Sequence, residues 1–420
     1  MTENFVRSTL YNILIVKQFC LIFKRNLSIT SGKLGSEELI LYIVVFLALI
    51  YQTSVRGNTI LVTLYTMDMH VSSMYLGLIV ASTSLFPMLF AAYAGRLSDR
   101  VGIRLPLVIG MLGTGLSLLL PFLFKNQIFI LLVSQSLFGL CQIFTIVALQ
   151  NLIGALSTEK TRSKYFSTYT LGVSISNFFG PLISGYSIDH LHYGLTFLLL
   201  ATLSIIPGLF FIFMVLPQTA HKEEIQKNSF VELLLKRSLR KTFITSGIIL
   251  TGVGLYEFYL PIYGKSLGLS ASTIGLILSC NAIAFILSRL LMQRLLNKFK
   301  EETVLGGCLT LSAVAFFLIP IFNQSIFLMI VSFIMGLGLG CCQPLSIVMA
   351  YNRSPKGRTG EVLGIRLTVN KAVQFTVPLL FGSVGPLLGF FPVFWSNAVL
   401  LLFSGFSLFE KKSKFNNTTG

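Results

Sequence analysis

Five charged side chains fall inside long apolar runs of the sequence: Arg56, Glu257, Arg289, Arg366 and Lys371. On insertion scales a charge at the centre of a membrane-spanning helix costs about 2.5–3.5 kcal/mol, so each such residue calls for a function or a partner. Glu257 is the one carboxylate well inside a run. Two roles are open to it: loading and releasing a proton, or neutralising a buried arginine. Arg289 has a long stem and lies near the end of its run, so its head is expected to snorkel toward water. Arg366, Asn370 and Gln374 recur every four residues, which puts them on one helical face that should turn toward a cavity. Gln142 and Gln343 occupy corresponding places in the two halves of the chain and are assigned to the same cavity. The expected cavity set is therefore Arg56, Gln142, Glu257, Gln343, Arg366, Asn370 and Gln374, with Asn177 and Asn281 as weaker candidates. Tyr256, Phe258 and Tyr259 flank Glu257 and offer aromatic walls.

The elements that carry these residues must be transmembrane helices. Of the 420 residues, 54% are hydrophobic and 11% charged, against about 25% charged in a soluble domain. So sparsely charged a chain could not cover a water-facing surface, which excludes a soluble enzyme, a nucleic-acid binder and a disordered protein. Twelve apolar runs lie between residues 38 and 409, each near the roughly 20 residues that cross a bilayer. The net charge of +17 invites a nucleic-acid reading, but its placement opposes it. Of 32 Lys and Arg, 26 fall in the tails and the loops on one side, two (Lys125 and Lys265) on the other, and four inside runs other than the loops. That asymmetry puts both termini in the cytoplasm and the excess charge against anionic lipid headgroups.

The longest polar interruption begins at Pro217 and separates two sets of six runs. The expected organisation is a cytoplasmic tail over 1–37, a six-helix bundle over 38–216, a linker over 217–241, a second bundle over 242–410 and a tail over 411–420. An amphipathic segment is expected around residues 230–239. Residues 1–37 lack a small-residue cleavage site, so they read as a tail rather than a signal peptide. The two halves resemble each other. A shift of 198 places Tyr65, Gly77 and Arg96 on Tyr263, Gly275 and Arg294. A shift of 197 places Pro181 and Gly185 on Pro378 and Gly382. A parallel repeat of six helices gives two bundles related by an axis along the membrane normal, with a binding site at their interface.

Two motifs carry the mechanism. After the second run the chain reads Gly95-Arg96-Leu97-Ser98-Asp99-Arg100-Val101-Gly102-Ile103-Arg104. The plainer account is a charged turn between two helices. The sharper one is a latch, in which glycine permits a tight turn and Asp99 accepts hydrogen bonds across the bundle interface. This loop resembles the signature loop of the major facilitator superfamily, and with the repeat and the twelve runs the resemblance covers residues 38–410. It implies an all-α fold of 12 transmembrane helices in two pseudo-symmetric six-helix bundles. It also implies that Gly95, Asp99, Arg100, Gly102 and Arg104 form a conformational latch that stabilises the outward-facing state. The second copy has Asn297 in place of the acid and lacks the glycines. The fifth run holds Gly172, Gly180, Pro181 and Gly185, whose plainer role is close helix packing. It also resembles, in part, the Gly-Pro hinge of the superfamily's proton-coupled exporters.

The expected function is secondary active transport of a small organic solute by alternating access, proton-coupled and directed outward, in a bacterial cytoplasmic membrane. No phosphate-binding loop of the Gly-x-x-x-x-Gly-Lys-Ser/Thr type occurs, so ATP drive within the chain is not expected. No cofactor, metal site or nucleic-acid partner is expected, and the protein should act as a monomer. The cysteines lack Cys-x-x-Cys spacing and the histidines lack zinc spacing. The alternatives are an importer of an organic anion or sugar-like metabolite and a membrane sensor without flux. A membrane enzyme would need a cluster of catalytic groups that the sequence does not offer.

Overall fold

The computed structural model describes residues 36–157, 161–214, 216, 236–354 and 359–416. The chain divides into two units, Met1–Leu47 and Ala48–Gly420. Of the first, residues 36–47 are described, as the opening turns of a helix. All the packing below lies within the second.

The described residues are helical and contain no strand. In order they form α1 (Ser36–Asp68), α2 (Ser73–Val101), α3 (Arg104–Leu123), α4 (Ile128–Leu156) and α5 (Arg162–Phe213). Then follow α6 (Arg237–Ser266), α7 (Ala271–Lys298), α8 (Glu301–Leu318), α9 (Ser325–Asn352), α10 (Thr359–Leu388) and α11 (Phe390–Asn416). Ten of these are long and apolar enough to cross a membrane. Two features account for the difference from twelve runs. The fifth and sixth runs are continuous as α5, and α10 is not among the ten. At 52 residues, α5 would reach about 78 Å if straight, well beyond a bilayer core of about 30 Å. It breaks at His192, whose φ of 62° and ψ of 167° are not helical. Its two limbs therefore correspond to two runs. The sequence of α10 contains Glu361, Arg366, Asn370, Lys371 and Gln374, and that polarity separates it from the rest.

Large apolar side chains such as Leu116, Phe129, Leu290 and Phe403 point outward, as a lipid solvent requires. Buried polar groups pair across helices: Tyr51 meets Thr114 at 3.1 Å, and the Ser54 hydroxyl donates to the Leu200 carbonyl at 2.6 Å. In the first half α3 packs on α4 and α5, and α2 on α4. In the second α7 packs on α9, and α8 on α9 and α11. Two crossings join the halves, α2 with α10 and α5 with α7. Both are built from the repeat. Gly77 meets the Pro378 carbonyl and Gly382, while Gly275 meets the Pro181 carbonyl and Gly185. A Cβ at Gly382 would lie 2.7 Å from the Cα of Gly77, so the helices touch backbone to backbone.

Most of the expected linker and of the amphipathic segment around 230–239 lies outside the described residues. What is described begins at Lys236. Leu239, in the first turn of α6, is buried against Phe243, Ala350, Val362 and Ile365.

Candidate functional site: a charged cavity between helices

Helix α1 presents Gln52, Arg56 and Thr59 at three- and four-residue spacing on one face. Gly180 lets α5 approach that face, because a Cβ there would stand 2.9 Å from the Gly57 nitrogen. Across the gap, Arg56 Nη1 lies 3.7 Å from Oε1 of Glu257 on α6. Neither side chain is sealed: they are 37% and 41% exposed. Two cavities meet at this pair, since both are lined by Arg56, Thr59 and Glu257. The larger, about 180 Å³, is also lined by Asn58, Gln135, Gln142, Phe258, Lys371 and Gln374. The smaller, about 50 Å³, adds Asn177, Pro181, Tyr256, Asn281 and Phe285.

The hydrogen bonding here is incomplete. Lys371 Nζ donates to Gln374 Oε1 at 2.9 Å, and Asn58 Nδ2 to Gln135 Oε1 at 2.7 Å. Arg56 Nε, Asn58 Oδ1, Gln135 Nε2 and Asn177 Oδ1 are buried without a partner among the described residues. Buried polar atoms are ordinarily satisfied, so this concentration marks a place shaped for something polar.

Of the expected cavity residues, Arg56, Gln142, Glu257 and Gln374 come together. Arg366, Asn370 and Gln343 do not line these cavities. Arg366 is 5% exposed and donates to the Ser346 hydroxyl at 3.2 Å and 2.7 Å and to the Gln343 carbonyl at 3.4 Å. Asn370 accepts from the Ser246 hydroxyl at 2.9 Å. The divergence is geometric. Four residues advance an α-helix by about 40° beyond a full turn, so residues eight apart differ by about 80°. Gln374 faces the cavity while Arg366 faces α9. Arg289 donates to the Ser174 hydroxyl and, at 3.4 Å, to the Thr170 carbonyl of α5. A hydroxyl and a helix carbonyl within reach satisfy the guanidinium where it stands.

Of the aromatics beside Glu257, Tyr256 lines the smaller cavity and Phe258 the larger. Phe258 and Tyr259 also line a third cavity of about 440 Å³ near the α1–α2 turn, with His70, Leu76 and Phe390. Phe258 is thus a partition between the central and the outer space. The expected cavity set left out Asn58 and Gln135, and Lys371, though singled out as an intramembrane charge, was not placed in it. Lys371 was legible as an intramembrane charge three residues from Gln374, and Gln135 as a residue one heptad before Gln142.

Among the expected latch residues, Gly102 ends α2 with φ 87°, a backbone conformation that favours glycine, and Arg104 opens α3 at the surface. The side chains of Asp99 and Arg100, and the surroundings of Gly95, lie outside the described residues. On α5, Gly172 is buried, Pro181 lines the smaller cavity and Gly185 meets the Ala271 carbonyl.

At the end of the molecule holding the α1–α2 turn, polar contacts of Asp68 and Asp189 join the halves, and Tyr193 braces Asp68 from within the first half. Asp68 accepts from Lys265 Nζ at 2.9 Å and from the Tyr193 hydroxyl at 2.6 Å. Asp189 accepts from the backbone N–H groups of Ala271 at 3.1 Å and Ser272 at 2.8 Å, which places a carboxylate on the positive end of α7.

The family model described as Major Facilitator Superfamily matches residues 44–271 and 242–418. The chain belongs to that superfamily. It is a multi-pass membrane transporter. Its curated relatives include Multidrug resistance protein 2 of Bacillus subtilis (strain 168), 22% identical over 361 residues, covering 82% of this chain and 88% of the relative. Multidrug resistance protein MdtG of Klebsiella pneumoniae (strain 342) is 26% identical over 344 residues, covering 79% and 82%. Among solved structures, a POT family transporter in complex with 5-aminolevulinic acid superposes with a TM-score of 0.77 at 14% identity, covering 89% of this chain and 96% of that one. That likeness concerns the fold.

Proposed function

We propose that this superfamily member exports a small organic solute by alternating access in exchange for protons. The observation that carries the reading is the Arg56–Glu257 pair at 3.7 Å, shared by two cavities and open to both. A carboxylate that alternates between an arginine and a proton can couple solute to proton movement. Outward direction is supported by relatives whose names record multidrug resistance. The two halves act as six-helix bundles that rock about the central cavity. By the positive-inside pattern, the end with Asp68, Asp189 and Lys265 faces outward, and the termini lie in the cytoplasm of a bacterial cell. The Gly95–Arg104 loop serves as the opposing cytoplasmic latch, and Gly180-Pro181 as the hinge that sets α1 against α5.

The test is solute accumulation in everted membrane vesicles energised by respiration, with fluorescent organic solutes of either charge. The wild type should accumulate solute, an uncoupler should release it, and Glu257→Gln should reduce accumulation to the protein-free background. Accumulation that survives the uncoupler, or is undiminished in Glu257→Gln, would overturn the proton-exchange reading.

A further inference from the structure

We infer that the transported solute is an organic anion, carrying a carboxylate or phosphonate that bridges Arg56 and Lys371 in the larger cavity. The inference rests on the transport reading and names the solute class of the same site.

The charged groups on the wall of that cavity are Arg56, Lys371 and Glu257, two cations against one carboxylate. A cation held away from bulk water without a counter-charge is costly, and a solute anion supplies the missing one. Glu257 does not saturate Arg56. Charge-assisted contacts run about 2.7–2.9 Å, whereas this one is 3.7 Å, and Arg56 Nε is buried without a partner among the described residues. The planar guanidinium fork thus keeps donors for a bidentate oxyanion. Lys371 is held by a neutral acceptor, Gln374, at 2.9 Å. The rest of the wall fits a polar solute. Asn58 Oδ1 and Gln135 Nε2 are buried and unpaired, one acceptor and one donor, beside Gln142. The aromatic lining is Phe138 and Phe258, less than an aromatic box for a lipophilic cation would use.

The solute anion and Glu257 compete for Arg56, which stands between them on the cavity wall.

A binding measurement tests the solute class without regard to the direction of transport. The detergent-purified full chain is heated with phenylphosphonate, benzoate or tetraphenylphosphonium, and the unfolding midpoint is followed. An anion should raise the midpoint of the wild type. Lys371→Gln should weaken its apparent affinity on the order of thirtyfold, as expected for truncating one side of a desolvated charge pair. Glu257→Gln should bind the anion at least as well, because the competing carboxylate is gone. A purely structural role for Lys371 would instead lower the midpoint of the unliganded protein and leave affinity unchanged. Stabilisation by tetraphenylphosphonium alone, by none of the probes, or by anions equally in wild type and Lys371→Gln would overturn the inference. Vesicle accumulation of a cationic solute that persists in that case would leave the transport reading standing and remove only the anion.

Discussion

Glu257 and Arg56 illustrate how far single residues can be read. A lone carboxylate and an arginine within apolar runs are costly enough to be recognised from sequence, and they do face one another at 3.7 Å. Arg366 shows the limit. Its cost is the same, but it is met privately by Ser346 and the Gln343 carbonyl, partners that no periodicity announces. Removing it should therefore destabilise the fold. Arg366→Leu, which deletes donor and charge together, should lower the unfolding midpoint less than Arg366→Ala, which also leaves a cavity. The contrary order would place Arg366 at a wet surface. Gly102 makes a second prediction at this scale. Its φ is 87° and no atom lies within 4 Å of where a Cβ would stand. Gly102→Ala should therefore cost about 1–2 kcal/mol from backbone strain alone, seen as a modest fall in the midpoint with no change in packing.

Helices are more legible than the contacts between them. Length and apolarity located the elements and separated the fifth and sixth runs, while the single-residue form of the break, a φ of 62° at His192, was hidden because nothing in the residue type forces it. The repeat was visible as matching glycines, but not that the copies would touch crosswise. Gly77 of the first half meets Pro378 and Gly382 of the second, and Gly275 meets Pro181 and Gly185. These crossings are where the two halves come nearest, so side chains inserted there should hold them apart. Gly275→Val should increase labelling of a cysteine placed at Phe258 by a membrane-impermeant maleimide added outside intact cells. Unchanged labelling would show that the crossing does not limit access. The polar contacts at the same end are expected to matter less. The Asp68 and Lys265 side chains are 38% and 39% exposed, and solvent-screened pairs contribute little. Asp189→Ala removes two backbone hydrogen bonds at the start of α7 and should cost about 1 kcal/mol, measurable as a small midpoint shift.

For the molecule as a whole, composition and charge asymmetry lead to a multi-pass membrane protein, the resemblance of the Gly95–Arg104 loop leads to the superfamily, and the superfamily leaves the solute open, because specificity resides in the cavity wall. The central claim is that the Arg56–Glu257 pair links solute movement to proton movement. Proteoliposomes permit two measurements on one preparation: exchange of solute for solute without a gradient, and solute movement driven by an imposed pH gradient. The account predicts that Glu257→Gln retains exchange near the wild-type rate and loses the gradient-driven component. Gradient-driven movement in Glu257→Gln at the wild-type rate would contradict it.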